Sequence, residues 1–309
     1  MNPRSVDMES KTMHQAGMSI PAYTAPATLD DALGIKKERG AEARVIAGGT
    51  DLILRMRDKV FSPSVLIDLR RLSLDGIALS DNELRLGAFV SLSQVLESAD
   101  IERLFPALPA GCREFAGPPI RNRGTLGGNI VNASPAADLV PPLIAYDASI
   151  VLSSSDGDRV LQLMAFFVGP GQSVMEPDEI LTEIRLPLMP ASSAATFIKL
   201  GQRRSMAISQ VNLTTRLSVD ESSMVSEARI VLGSVAPVPM RAVAAEEFLL
   251  GKELSEKLLN GAAKKARDEV TPISDVRASL AYRLEMVEVL VRRALLATWD
   301  ELRGSAPDG

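Results

Sequence analysis

Two short glycine-rich segments contain the residues best suited to chemistry in this chain, and that chemistry is the binding of an anion. The first segment runs from Val45 to Leu52 and reads Val-Ile-Ala-Gly-Gly-Thr-Asp-Leu. The second contains Thr125-Leu-Gly-Gly-Asn129, and its Thr125 stands 75 positions after Thr50. Adjacent glycines let backbone N–H groups point the same way and let a ligand approach closely. Two such segments, each beside apolar stretches, predict one extended anionic ligand held from both sides.

The scarcity of histidine and cysteine excludes several kinds of active site. The chain has one histidine, His14, and one cysteine, Cys112. His14 lies in the N-terminal segment 1–19, so the rest of the chain has no histidine. That part of the chain cannot perform Ser-His-Asp hydrolysis, hold a metal through imidazole or link a flavin through histidine. One cysteine cannot form an internal disulfide, hold an iron–sulfur cluster or build a structural zinc site, and it fits a reducing cytoplasm. Any chemistry must therefore come from a bound cofactor or a partner.

The bulk composition indicates a soluble globular protein of two or three domains. The chain has 309 residues, of which 46% are hydrophobic and 24% charged, with a net charge of −5. That charge argues against a nucleic-acid partner. The apolar stretch 139–152 is interrupted by Pro141, Pro142 and Asp147, so we predict no membrane span. The polar stretch 1–15 lacks the apolar core of a secretory signal.

Patterns along the chain predict a disordered leader over 1–19 and three units over 20–72, 73–190 and 191–309. In the first unit we predict a helix over 29–39 that begins after Thr28 and ends at Gly40. The remaining elements expected there are a strand over 44–47, a helical turn over 52–57 and a strand over 65–69. The first glycine segment thus follows a strand end.

The second and third units also mix helices and strands, which predicts an α+β fold. In the second unit we expect strands within 77–90, 144–152 and 161–166 and an edge strand over 178–187. We also expect helices over 92–97 and 102–115, the second of which ends at Pro118-Pro119, before the second glycine loop. In the third unit we expect strands over 195–200, 210–219 and 224–234, then helices over 242–250, 255–269 and 277–299.

Neither glycine segment fits the common nucleotide-binding motifs. The first lacks the G-x-G-x-x-G spacing of a Rossmann site and the Gly-Lys-Ser/Thr of a P-loop, so a plain turn is its alternative. The second has Arg121 and Arg123 before it and Asn122, Thr125 and Asn129 within it. A purely structural loop seldom needs so many hydrogen-bonding groups, which favours a ligand site.

The two segments together resemble the FAD-binding medium subunit of molybdenum hydroxylases, the group that includes xanthine dehydrogenase, carbon monoxide dehydrogenase and 4-hydroxybenzoyl-CoA reductase. The motifs are Ala47-Gly-Gly-Thr-Asp51, then Ile120-Arg-Asn-Arg-Gly-Thr-Leu-Gly-Gly-Asn129 and Ala133-Ser-Pro-Ala-Ala-Asp138. The resemblance covers residues from about 20 to 299. It implies a two-part FAD-binding region of the vanillyl-alcohol oxidase (PCMH) type, with FAD between the first two units, plus a C-terminal α+β domain.

The resemblance implies a set of FAD contacts in both glycine segments and at single positions elsewhere. These are Val45, Ile46, Ala47, Gly48, Gly49, Thr50, Asp51 and Leu52 on one side, and Phe115, Thr125, Leu126, Gly127, Gly128, Asn129, Ser134, Asp138, Leu181 and Lys199 on the other. Backbone N–H groups of both segments are expected to hold the diphosphate. Because Asp51 and Asp138 would repel a phosphate, we expect them to contact hydroxyls or a flavin N–H.

Several of these positions have a structural alternative. Asp51 could cap a helix, Phe115 could belong to the core, and Lys199 could be a solvated residue of an edge strand. For Lys199 we favour a place near the flavin and hypothesise that its positive charge stabilises the anionic reduced form. In the loop after it, Arg203 and Arg204 could attract an anionic electron acceptor, but ordinary surface arginines are the stronger interpretation.

The function implied by the resemblance is electron transfer by non-covalent FAD in a three-part complex. A large subunit would carry molybdopterin, a small subunit two two-iron two-sulfur clusters, and NAD, a quinone or another acceptor would take the electrons. We expect a dimer of such heterotrimers and no metal on this chain.

Cys112 alone cannot hold the extra four-iron cluster of 4-hydroxybenzoyl-CoA reductases, and Pro119 stands where the family often has Gln. The alternatives are a self-sufficient flavin oxidoreductase and an assembly subunit without cofactor.

Overall fold

The computed structural model describes residues 21–203 and 206–304. The predicted leader over 1–19, His14 and Arg204 lie outside the described residues. The described chain mixes helices with sheets of different topology, which confirms the predicted α+β class. None of the helices in this part of the chain is long and apolar enough to cross a membrane.

The first unit is a small parallel sheet with helical crossovers. Its elements are β1 (Ala22–Thr24), α1 (Leu29–Arg39), β2 (Ala43–Ile46), α2 (Leu52–Arg57) and β3 (Val65–Asp68). The strand order is β1-β3-β2, and parallel neighbours need such crossover connections. Helix α1 is confirmed as predicted: the Thr28 side chain accepts the Asp31 N–H, and Gly40 ends the helix at φ +52°. The first glycine segment follows directly from β2.

The second unit contains an antiparallel sheet whose strand order is β4-β5-β10-β6-β7. Its strands and helices are β4 (Ile77–Leu79), β5 (Glu83–Gly87), α3 (Leu92–Glu97), α4 (Ala99–Leu104), α5 (Ala107–Glu114), α6 (Pro118–Arg121), α7 (Leu126–Val131), α8 (Val140–Ala145), β6 (Ser149–Ser154), β7 (Gly157–Gln162), β8 (Phe167–Gly169), β9 (Gln172–Ser173) and β10 (Ile180–Pro187). One face of this sheet and the helices enclose an apolar core.

Prolines explain two differences from the predicted elements of this unit. The helix expected over 102–115 is two helices, α4 and α5, because Pro106 lacks the N–H that a continuous helix needs at that point. Pro118 opens the short helix α6, since proline fits the first turn of a helix.

Two predicted strands of the second unit were also placed wrongly. Ile144 belongs to the buried helix α8, and the strand expected over 144–152 begins only at Ser149. Residues Leu163–Ala165, expected in a strand over 161–166, form a 3-10 turn after β7. Short apolar runs do not distinguish a buried helix from a strand, which accounts for both errors.

Strand β10 is central, whereas the sequence predicted an edge strand. It pairs with β5 on one side and with β6 on the other. Its alternating pattern arises because Ile184 and Leu186 point into the core while Glu183 and Arg185 form an ion pair on the opposite face, at 2.5 Å. Pro187 is the last residue of the strand, where a missing N–H is tolerated.

The third unit is an antiparallel meander followed by helices, as predicted. It consists of β11 (Ser193–Gly201), β12 (Ser209–Val219), β13 (Val225–Gly233), β14 (Met240–Arg241), α9 (Val243–Leu249), α10 (Glu256–Glu269) and α11 (Leu280–Gly304). The sheet and helices share a second apolar core. Strand β11 is an edge of this sheet, and the next strand, β12, is almost entirely buried.

Ion pairs join the second and third units. The Arg216 guanidinium on β12 lies 2.8 Å from a carboxylate oxygen of Asp147, which follows α8. Arg229 on β13 donates to the same carboxylate at 2.9 Å. Helix α8 also packs against both strands. These contacts hold the second unit firmly against the meander.

We predict that Ile184→Ala in β10 lowers the free energy of unfolding by about 2–5 kcal/mol, because it leaves a cavity in a central strand. Ile184 is fully buried, whereas Leu79 in the edge strand β4 is 43% exposed. Leu79→Ala should therefore change stability by no more than about 0.5 kcal/mol. Urea unfolding of both variants measures the difference, and equal losses would contradict the central position of β10.

Candidate functional site

The first glycine segment lies directly against the backbone of residues 123 and 124, which immediately precede the second segment. The Arg123 Nε donates to the Gly48 carbonyl at 3.2 Å. A Cβ added at Gly48 would lie only 1.9 Å from the Arg123 carbonyl oxygen, so a larger residue would separate the segments. Gly49 has φ +70°, in the left-handed region that favours glycine. The structure therefore brings the segments together, as the sequence predicted.

A cleft of about 370 Å³ opens beside this contact. Both units line it, and its wall includes Ala47, Gly48 and Thr125 from the predicted site. Asn122 and Arg123, which the sequence indicated as hydrogen-bonding groups of a ligand site, also line it. The sequence did not indicate the remaining lining residues, which are Leu69, Arg70, Leu74, Asp75, Phe89, Ser91 and Gln94. Ser91 and Gln94 form a capping box at the start of α3, and their position on the cleft depends on the tertiary fold.

The first glycine segment presents unpaired backbone amides. Among the described residues, the N–H groups of Gly48, Gly49, Thr50 and Asp51 have no acceptor. Asp51 occupies the N-cap position of α2, but its carboxylate makes no cap hydrogen bond and pairs with Arg55 at 2.8 Å. Successive N–H groups without acceptors form a concave site suited to an anion.

The second glycine segment differs from the predicted loop, because it forms the first turn of helix α7. The Thr125 Oγ1 caps the helix by accepting the Gly128 N–H at 3.0 Å. The Leu126 and Gly127 N–H groups donate to the carbonyls of Val90 and Ala88 at 3.0 and 2.9 Å. Most amides of this segment are therefore already used. Its contribution to an anion site reduces to the Thr125 N–H, which has no acceptor in the described part of the chain.

Two details of the second segment concern its fit to a ligand. A Cβ at Gly127 would lie 2.6 Å from the Ala88 carbonyl oxygen, so this glycine is required for packing. The Asn129 Oδ1 is buried without a hydrogen-bond donor among the described residues. A buried acceptor of this kind costs free energy unless a donor reaches it. A hydroxyl or N–H of a bound cofactor would satisfy it, so the residues present fit such a group.

Asp138 and Lys199 form a second, buried cluster. Lys199 Nζ lies 2.6 Å from Asp138 Oδ2, and the two side chains are only 5% and 7% exposed. Ser209 Oγ and Asn212 Nδ2 donate to Asp138 Oδ1 at 2.5 and 2.8 Å. Lys199 also donates to the Glu114 carbonyl at 3.1 Å. Lys199 does lie on an edge strand, β11, but its side chain is buried, so the alternative of a solvated lysine is wrong. Both Asp138 oxygens are bonded within the protein.

The other predicted site residues lie outside the cleft lining. Phe115 ends α5 and packs partly buried against the core of the second unit. Leu181 is buried in the same core, next to an irregularity in the β10–β6 pairing. The Ser134 Oγ accepts the Ala136 N–H at 3.2 Å. Arg203 donates to the Met206 carbonyl at 2.9 Å, and neither interpretation of this arginine is tested by that bond.

Among the described residues, the cysteine is buried and no cluster suited to a metal ion occurs. Cys112 is buried, and its desolvation raises the pKa of the thiol to about 12. No group of His, Cys, Asp and Glu that could hold a metal ion occurs in the described ranges.

Two family models together match most of the chain. Residues 15–189 match the family described as the FAD binding domain in molybdopterin dehydrogenase. Residues 196–298 match the C-terminal domain of the CO dehydrogenase flavoprotein. The chain belongs to this family of FAD-binding subunits of molybdenum-containing dehydrogenases, which are oxidoreductases.

Individual relatives are similar along almost their whole length. The nicotinate dehydrogenase FAD-subunit of Eubacterium barkeri is 32% identical over 287 residues, which cover 91% of this chain and 97% of the relative. A carbon monoxide dehydrogenase structure from Hydrogenophaga pseudoflava, lacking the Mo-pyranopterin moiety, aligns with a TM-score of 0.87 at 31% identity, covering 91% and 99% of the two chains. Quinoline 2-oxidoreductase from Pseudomonas putida 86 aligns with a TM-score of 0.86 at 28% identity, covering 94% and 99%.

We predict a pH-dependent stabilisation from Asp68, the last residue of β3. The Arg70 guanidinium, 2.5 Å away, and a hydrogen bond from Tyr23 hold the pKa of Asp68 at about 2. Because this pKa is lowered on folding, the stabilisation is present above the unfolded pKa of about 3.9 and is lost as the pH falls towards 2.

Asp68→Asn should remove that stabilisation, about 1 kcal/mol at pH 7, a modest figure because Arg70 is 59% exposed and solvent screens the pair. Urea midpoints of variant and wild type, measured at pH 7, 4 and 2.5, should therefore converge as the pH decreases. A difference that stays constant over this range would contradict the ion pair.

Proposed function

We propose that this chain carries non-covalent FAD in a molybdenum hydroxylase complex, accepts electrons from an iron–sulfur subunit and passes them to NAD, a quinone or another acceptor. The observation that carries the proposal is the junction of the two glycine segments, where Gly48 to Asp51 present four successive amides that find no acceptor in the described part of the chain. The family of the chain, defined by an FAD binding domain, supports the identity of the ligand.

The proposed placement of FAD starts from its diphosphate. The N–H groups of 48–51 and of Thr125 hold the diphosphate, since they are the open donors on the two sides of the junction. The adenosine end occupies the cleft, whose apolar wall of Leu69, Leu74 and Phe89 suits a nucleobase. The flavin end extends towards Phe115, Asp138, Leu181 and Lys199, as the family resemblance implies.

The residues of this chain bind and orient the cofactor, whereas FAD when bound supplies the redox chemistry. Arg123 lines the cleft and offsets the negative charge of the diphosphate. Asn129 Oδ1 accepts a donor from the cofactor, which satisfies its buried position. The hypothesis that Lys199 stabilises reduced flavin is modified by its 2.6 Å contact with Asp138, because the pair as a whole carries no net charge.

The proposed partners are a large molybdopterin subunit and a small subunit with two two-iron two-sulfur clusters. A relative named as a carbon monoxide dehydrogenase medium chain, from Hydrogenophaga pseudoflava, is 30% identical over 279 residues, 90% of this chain. We propose the same kind of subunit here, in a dimer of heterotrimers in the cytoplasm. The substrate is then bound by the large subunit.

We predict that Gly48→Ala weakens FAD binding about 10- to 100-fold, because the added methyl group overpacks the segment contact by about 1–3 kcal/mol. Gly34→Ala in α1 is the matched control, since its Cβ would meet no atom within 4 Å. That variant should bind FAD like the wild type and gain up to about 1 kcal/mol of stability. Fluorescence titration of each apoprotein with FAD measures the effect, and equal dissociation constants would contradict the placement.

We predict that the native complex, purified through a tag on this chain, contains FAD, molybdenum and iron. Metal analysis and the absorption spectrum measure this directly. Flavin reduction by a small organic donor without any partner would instead favour a self-sufficient oxidoreductase. A preparation that stays colourless after addition of FAD would indicate an assembly subunit.

A further inference from the structure

Two buried polar residues of β12, Ser209 and Asn212, surround one carboxylate oxygen. Both side chains are fully buried, and both donate to Asp138 Oδ1, from 2.5 and 2.8 Å. Lys199 Nζ takes the other oxygen at 2.6 Å. All three donors come from the third unit, whereas Asp138 belongs to the second. The carboxylate is thus fixed by residues 61 to 74 positions further along the chain.

Asn212 uses its donor group and leaves its acceptor unsatisfied among the described residues. Its Oδ1 is buried and has no donor within the described ranges, which destabilises the folded protein. Gly233 makes room for this oxygen, because a Cβ there would lie 2.1 Å from it. The Nδ2 group, in contrast, donates to Asp138 Oδ1 and, at 3.4 Å, to the Ala137 carbonyl. The orientation of the side chain therefore satisfies the Asp138 carboxylate and leaves the Asn212 Oδ1 without a donor among the described residues.

The same contacts fix the segment that follows the second glycine pair. Residues 133–138 leave α7 and end at Asp138. Ser234, just after β13, donates its N–H to the Pro135 carbonyl at 2.7 Å. Together with Lys199 on β11 and the two donors on β12, this bond ties the segment to three consecutive strands of the meander.

We propose that Ser209 and Asn212 are positioning residues of the FAD site, which fix the Asp138 carboxylate and, through it, the Lys199 ammonium. This inference rests on the proposed function, since the contact of Asp138 and Lys199 with FAD is itself a prediction. Each donor withdraws negative charge from the carboxylate. Removing one leaves more uncompensated negative charge beside the flavin and disfavours the more negative, reduced form of the cofactor.

The test compares Ser209→Ala with Ser218→Ala in the full chain. Ser218 is the matched control, because it lies on the same strand, is also buried, and loses an equivalent hydroxyl contact, with Ser193 at 2.7 Å. We expect Ser209→Ala to raise the Kd of oxidised FAD about fivefold and that of reduced FAD about fiftyfold. This tenfold difference corresponds to a flavin midpoint potential lower by about 30 mV.

Further variants separate positioning from simple loss of stability. Asn212→Leu, of similar shape but without a donor, should lower the potential in the same direction. Ser209→Cys retains a weak donor and should give an intermediate value. Urea unfolding without FAD should show a loss for both Ser209→Ala and Ser218→Ala, larger for Ser209→Ala because its hydroxyl bonds a carboxylate. Ser218→Ala should nevertheless leave both FAD constants within about twofold of wild type.

The outcomes distinguish this inference from the proposed function. If wild type binds FAD, but Ser209→Ala and Asn212→Leu match Ser218→Ala in both FAD constants and in potential, the inference is wrong and the proposed function stands. A wild-type chain that binds no FAD contradicts both. If Ser209→Ala does not fold, Ser209→Cys and Asn212→Leu provide the same comparison with the control.

Discussion

The backbone contact between Gly48 and Arg123 is the constraint on which the rest of the site depends. It joins the end of a parallel strand in the first unit to the helical turn that precedes α7 in the second. Because the contact is made by main-chain atoms, no side chain fits between the two units at this point. The cleft, the open amides and the proposed diphosphate site all exist because these two segments approach so closely.

The glycines of the two pairs have different functions. Gly48 and Gly127 permit close approach to a neighbouring carbonyl, Gly49 adopts a left-handed conformation, and Gly128 donates its N–H to Thr125. In the sequence the pairs look equivalent. In the structure the first pair leaves its amides open, while the second uses them to build a helix start. An anion bound here therefore depends mainly on the first segment.

Local signals made part of this fold predictable. The cap at Thr28, the stop at Gly40 and the strand before the first glycine pair were correctly predicted, because each depends on neighbouring residues. Helix α7 was not, since two glycines disfavour a helix, and the Thr125 cap together with the burial of Leu126 and Ile130 compensates for them. The central position of β10 was also missed, because alternation describes the faces of a strand and carries no information about its neighbours.

The site residues show the same division between local and long-range information. The motifs identified the FAD-binding segments and the family, but they did not show that Asp138 is surrounded by donors. Ser209 and Asn212 lie in a strand that looks like ordinary meander, and no local pattern links them to a carboxylate more than 70 positions earlier. Likewise, Leu69, Leu74 and Phe89 are unremarkable apolar residues until the two units pack around the cleft.

The dependence of Asp138 on β12 has a consequence for biosynthesis. Chains emerge from the ribosome with their N-terminal part first, and domains generally fold as units. The first two units are complete before β12 is made, yet at that stage the Asp138 carboxylate lacks its three donors and would remain in water. The Ser234 N–H also donates to the Pro135 carbonyl. The segment 133–138 can therefore reach its final conformation only after translation has passed Ser234, so the proposed flavin end of the site is completed last, with the meander.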